Sequence, residues 1–200
     1  MRKIFALAAL AGSLMLTPTV QAAWVVDGEQ STVTFLSVKA LKPGNEAATE
    51  VLRFNGVQGT VDKSGQVQAS IALAGLDTGI PVRDERMRTM LFQEQQYPAI
   101  EFKGQAGLEG VQDLQAGQSA LVNLDGELSI AGQTKPFKSQ LRYIQLKDGR
   151  AVLTTQEPIV LNALDFKLGD GIEALRKVAG LTMISTTVPV NLSITVQAQQ

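Results

Sequence analysis

The sequence predicts an all-β fold of about eight antiparallel strands, closed into a barrel or stacked as a sandwich, with one or two short helices laid on it. Three observations carry that reading. Apolar and polar residues alternate with period two in several long segments, which gives each strand one buried and one wet face. Short Gly-bearing connections, "KSGQ" at 63–66, "AGQT" at 131–134 and "KDGR" at 147–150, separate such segments as hairpin turns do. Only two internal stretches break the alternation, and both carry helix signals.

The chain opens on Arg2 and Lys3, an apolar run over 4–16, and the small residues Val20 and Ala22. That pattern is a secretory signal peptide, residues 1–22, with cleavage after Ala22; the run is too short to span a bilayer. Removing 22 of the 200 residues leaves 23–200 as one domain of 178 residues, long enough for a substantial core. Strands are expected at 32–41 and 51–62. In the next, Val67, Ala69, Ile71 and Leu73 alternate with Gln66, Gln68 and Ser70.

"DTG" at 77–79 matches the catalytic turn of aspartic proteases, but those enzymes need two copies and this chain has one. Asp, Thr and Gly are also what a turn leaving a strand requires, so a plain turn is expected. The first helix follows over 83–92. Pro81 can start it, Asp84 and Arg88 stand at i,i+4, and Met87, Met90 and Leu91 form a narrow apolar stripe. Ile100 and Phe102 alternate with Glu101 and Lys103. Val122, Leu124, Leu128 and Ile130 do the same around Gly126, and strands are expected at 137–146 and 150–161. In "GDGIEALRKVAG", Asp170 and Glu173 have capping-box spacing, Ile172, Leu175 and Ala179 share a face, and Gly180 stops the helix. One long strand closes the chain, with Ile184, Thr186, Val188, Val190, Leu192, Ile194 and Val196 on one face.

Composition narrows the chemistry. The chain has no His and no Cys. Ser-His-Asp and Cys-His catalysis, imidazole or thiolate zinc sites and disulfides are therefore excluded, and no metal or cofactor is expected. Without Arg2 and Lys3, 16 of the 18 basic residues face 19 acidic ones, which is not the balance of a nucleic-acid binder. Carboxylates are what remains for catalysis. Asp84 and Glu85 are helix neighbours pointing to different faces, and Asp165 and Asp170 lie where a loop caps a helix. Arg83, Arg86 and Arg88 read either as a solvated helix face or as an anion contact at a pocket mouth.

The order of "WVVDGEQSTVTFLSVK", "VDKSGQVQASIALAGLDTGIPVRDERMRTMLF", "QYPAIEF" and "LDGELSIAGQTKPF" resembles the YceI-like polyisoprenoid-binding proteins from Trp24 nearly to the end, best at Arg83-Asp84, Tyr97-Pro98 and Thr134-Lys135-Pro136. The resemblance implies a lipocalin-like antiparallel barrel whose lumen takes an apolar isoprenoid or other lipid. It departs from the family at the acidic, Ala-rich loop of 40–54, where a shorter link is expected, and at the helical segment near 170–180. Under that reading the lumen is lined by Val33, Phe35, Val67, Ile71, Phe102, Val122, Leu124, Val190 and Ile194, mostly aliphatic and with few aromatics to plug it. Met87, Met90, Leu91 and Phe92 face the apolar chain from the first helix, and Arg83 or Arg86 meets a polar head group, the alternative being that Arg83 pairs with Asp84 to lock the helix down. The expected protein is thus a periplasmic or secreted lipid carrier without catalysis, with no transmembrane segment and a homodimer as an option. A ligand-free interaction or stress-response module and a carboxylate-based hydrolase are the alternatives.

Overall fold

A computed structural model of the chain describes residues 22–41 and 47–199; the expected signal peptide lies almost wholly outside the described residues. The architecture is a closed antiparallel barrel of eight staves, built from twelve strands and capped at one end by helices. Neighbouring staves follow one another along the chain, and β1 (Ala22–Ala40) closes the barrel by pairing with β12 (Thr187–Ala198).

Several staves are broken into two strands, each for a local reason. β2 (Ala48–Phe54) and β3 (Val57–Asp62) form the stave expected over 51–62; both pair with β1, and the break falls at Asn55-Gly56. β1 itself bulges between Asp27 and Thr32, where Asp27 Oδ1 accepts from the Glu29 and Gln30 amides (3.1 and 3.2 Å). The bulge is stitched to the closing strand, since the Thr195 amide donates to Ser31 Oγ (3.0 Å) and Thr195 Oγ1 donates to the Gln30 carbonyl (3.0 Å). β4 (Gln66–Ala72) continues into the two-residue β5 (Leu76–Asp77) through a 3-10 turn.

β6 (Ala99–Ala106), β7 (Ser119–Ile130) and β8 (Gln133–Gln145) are long and regular. Gly104 and Gly126 face each other across β6 and β7, where a Cβ would strike the opposite backbone and the ring of Phe102. Two glycines are required because the Phe102 ring lies over that spot. The stave expected over 150–161 is split by Pro158 into β9 (Arg150–Thr155) and β10 (Ile159–Asn162). β9 pairs with β8 and β12, whereas β10 pairs with β12 alone, so a crevice of about 500 Å³ opens in the wall beside the first half of β8.

The single strand expected at the C-terminus is also two. β11 (Met183–Ile184) is separated from β12 by Ser185 and Thr186, which leave the ladder although the alternation runs through them. Ser185 Oγ bonds the backbone of Thr187, and the Thr186 carbonyl is taken by the Ala163 amide (2.8 Å).

The first helix begins at Pro81 as expected. It is α-helical as α1 (Pro81–Arg86) and continues as a π-helix over Met87–Leu91. Thr89 sits in this segment with its hydroxyl on the Glu85 carbonyl (2.8 Å), a back-bond that competes with regular helix geometry. The second helix is α2 (Gly169–Val178). Asp170 does not cap it: the N-cap is Leu168 and Asp170 lies inside the first turn. Glu173 does not close a capping box either. It is gripped by Arg176 through two contacts of 2.7 Å, with Lys177 at 3.5 Å, and this pairing holds its carboxyl down at about 2.

Two apolar clusters divide the interior. The smaller one fills the end of the barrel away from the helices, where Ala106, Val111, Val122, Tyr143, Ala151 and Val196 are buried together. Burial there pushes the Tyr143 hydroxyl above its ordinary pKa, against a smaller opposing effect of Trp24. The larger cluster, around Leu52, Phe54, Leu73, Met87, Leu91, Phe166 and Leu168, joins the other half of the barrel to the helices.

Candidate functional site

Between the two clusters lies a cavity of about 630 Å³, within the range of about 300–1,000 Å³ common for small-molecule sites. The alternation of the strands builds it: one parity of each stave points inward, and those positions are almost all aliphatic or aromatic. Val33 and Phe35 come from β1, Val67 and Ile71 from β4, Phe102 from β6, Val122 and Leu124 from β7, and Val190 and Ile194 from β12. The structure brings all nine of these to one lumen. Val122, however, is only 2% exposed and is also a member of the closed-end cluster, so its side chain is chiefly packing.

Aromatics are concentrated here, contrary to the expectation of a lumen with few of them. All six phenylalanines after Phe5 line the cavity: the expected Phe35, Phe92 and Phe102, and also Phe54, Phe137 and Phe166. Phe35 stacks on Phe54 with ring centroids 5.4 Å apart, and Phe54 meets Phe92 edge-on at 6.0 Å. This row runs from wall to lid. On another part of the wall, Phe102 and Phe137 meet edge-on at 5.5 Å. The rings narrow the lumen rather than plug it. Phe54 and Phe137 were legible as inward positions of their strands; Phe166 lies in a 3-10 turn and had no such signal.

The lid comes from both helices. Met87, Leu91 and Phe92 are buried and line the cavity, as do Ile172, Leu175 and Ala179 of the second helix. Met90 does not. The wider π-turn, closed by the Phe92 amide on the Met87 carbonyl (3.0 Å), brings Phe92 inward where an α-helical stripe would have used Met90. The Met90 carbonyl instead faces Gly171 of α2; a Cβ at Gly171 would stand 2.7 Å from it and 2.8 Å from the Leu91 Cα. Glycine there lets the two lid helices touch.

At the mouth the lid is latched to the wall by charge. Arg83 Nη1 donates to Glu50 Oε2 (2.6 Å), Lys39 Nζ donates to the same oxygen (2.8 Å), and Arg83 Nη2 donates to the Thr78 carbonyl (2.5 Å). The hydrogen bond from Lys39, reinforced by Arg83, holds the Glu50 carboxyl below its ordinary range. Arg83 Nε is buried with no partner among the described residues. The expected Arg83–Asp84 and Asp84–Arg88 pairs do not form. Asp84 accepts from the Thr78 amide (2.9 Å) and hydroxyl (2.5 Å), and Arg88 pairs with Glu94 (3.3 Å). Neighbours on a helix point to different faces, so Arg83 reaches the wall while Asp84 reaches back to the preceding turn. In that turn Asp77 Oδ1 accepts from the Gly79 amide (2.8 Å), which is the work of a plain Asx turn.

Comparison with known proteins agrees with this geometry. A family profile described as the YceI-like domain matches residues 24–196. A solved structure titled as a polyisoprenoid binding domain from Saccharophagus degradans, implicated in plant cell wall breakdown, is 32% identical. It superposes with a TM-score of 0.82, covering 90% of this chain and 100% of that one. Burkholderia cenocepacia BcnA shares the fold at 17% identity and a TM-score of 0.61, over 85% of this chain and 98% of its own. Among curated proteins no significant sequence match was found.

Proposed function

Because this chain belongs to the YceI-like family, we propose that it holds a polyisoprenoid or a similar long apolar lipid in its lumen, as a carrier or sequestering protein exported by the signal peptide of residues 1–22. The observation that carries this reading is the continuous apolar lining, from Val33 and Phe35 to Ile194, under a lid whose inner face is also apolar. Burying about ten methylenes of a prenyl chain in such a space contributes about 8 kcal/mol before ordering costs, enough for tight binding with little polar recognition. The 32%-identical relative titled a polyisoprenoid binding domain supports the choice of ligand class.

The polar end of the ligand sits at the mouth. Two cations share one carboxylate there, and the Arg83 Nε–H has no partner among the described residues, so a group that accepts hydrogen bonds, a carbonyl or an anion, fits best. The same cluster supports binding rather than catalysis. Glu50, clamped by Lys39 and Arg83 and held ionised, is a poor proton donor and a weak base.

Native mass spectrometry of the protein purified gently from its own cells, followed by organic extraction, tests the proposal. One stoichiometric apolar adduct is expected. A clean apo mass, with no uptake when isoprenoids are offered, would overturn it in favour of a ligand-free interaction module.

A further inference from the structure

Among the described residues nine large apolar side chains are exposed, and they are not evenly spread. Val51, Leu121 and Val160 are scattered on the barrel wall, and Leu164 lies in the 3-10 turn before α2, against Gly169 and off the cavity lining. The other five, Leu41, Ile80, Val82, Val178 and Met183, sit at the lidded end. Strand pairing brings two of them together: Lys39 and Ala40 pair with Ile184 and Met183, so Leu41 leaves β1 at the end where β11 begins. Ile80 and Val82 flank Pro81 at the start of α1, Val82 next to the Arg83 that reaches Glu50, and Val178 ends α2. Leu41, Ile80, Val82 and Val178 are at once exposed to solvent and part of the cavity lining, so the ring they form is the edge of the opening itself.

We propose that this ring is a docking surface for a lipid bilayer, through which the lumen loads and unloads without its ligand crossing water. The inference rests on the lipid-binding reading above. Three features select a bilayer over a protein partner. The side chains come from separate elements around an opening that leads straight into an apolar lumen. They are aliphatic, without the Trp, Tyr or Phe anchors that dominate protein interfaces. And the charges among them do not oppose phospholipid head groups: among the described residues, Lys39, Arg83, Arg86, Arg176 and Lys177 against Glu50, Asp84, Glu85 and Glu173 leave an excess of one positive charge, in a chain whose net charge is −1. With so small an excess the association is chiefly apolar, and depends little on salt.

Flotation with vesicles of phosphatidylcholine alone tests this, comparing the purified protein with V82D/V178D/M183D and with a wall control, V51D/L121D/V160D, that carries the same added charge. Near-ultraviolet circular dichroism checks that each variant is folded. The wild type and the wall control are expected to float, and the rim variant to lose at least about tenfold in vesicle partition, since charge at a bilayer boundary is costly. A wild type that stays with the soluble fraction, equal loss in both variants, or a concentration-dependent dimer formed in place of vesicle binding would each overturn the proposal. Extraction of the same preparations reports lumen occupancy separately. Flotation without a bound lipid would fail the ligand reading alone, and a bound lipid without flotation would fail the docking surface alone.

Discussion

Arg83 shows how a residue's role depends on what stands opposite it. Its neighbour in sequence is Asp84, yet its carboxylate partner is Glu50, 33 positions away on β2. No local rule links those two, and only closure of the barrel brings them together. Replacing Arg83 with Met, or Glu50 with Gln, is expected to lower stability by about 1 kcal/mol, because the pair is partly exposed, and to speed lipid release more than it lowers the melting temperature. Stopped-flow transfer to acceptor vesicles and thermal melts would check both. The pH dependence follows from the same cluster. The folded pKa of Glu50 is lowered, so the latch contributes fully above the ordinary glutamate range of about 4.3 and is lost as pH falls through the lowered value. Release is therefore expected to be flat from neutral pH to about 5 and to accelerate only in stronger acid. Acceleration near pH 6 would show that another group controls the lid.

Also at this scale, Ile194 and Val122 separate lumen from packing. Ile194 packs against both clusters and lines the cavity, whereas Val122 is nearly sealed in the closed end. Ile194→Trp is expected to cut lipid loading at least about tenfold in a folded barrel, while Val122→Trp should cost about 1–3 kcal/mol by overpacking before loading is affected. Equal loading of the Ile194 variant and the wild type would remove Ile194 from the lumen.

Among the elements, the lid was only partly legible. Pro81 and the cluster of Met87 and Leu91 announced a helix with an apolar face, but its phase depends on a π-turn that the spacing of residues does not encode. Hence Phe92 turned inward and Met90 did not. α2 was legible by its apolar face and by Gly180, whereas its seat on the first helix depends on Gly171, whose reason lies in the other helix. Gly171→Leu is expected to push the two lid helices apart. Faster exchange of the 81–92 amides, with the barrel strands unchanged, would be visible by hydrogen exchange. The strand breaks at Asn55-Gly56 and Pro158 had local signals in Gly and Pro. The break at Ser185-Thr186 had none, because the alternation passes through it unbroken.

For the whole molecule, the sequence by itself determined the class of fold, the number of staves and most inward positions. Period-two alternation and Gly turns are local properties, and a strand with one apolar face has few ways to bury it. It also determined which chemistries are closed to the chain, since no His or Cys is available anywhere. The tertiary structure alone decided what the inward faces enclose. Whether they meet as a solid core or leave a space of about 630 Å³ depends on closure between β1 and β12 and on how far the lid stands from the Tyr143 end. It likewise decided that six phenylalanines converge on that space, that Lys39 and Arg83 share Glu50, and that four scattered aliphatics form a ring around the mouth. Each of these is a contact between residues distant in sequence, set by the register of strands around a closed sheet, and local pattern carries no record of it.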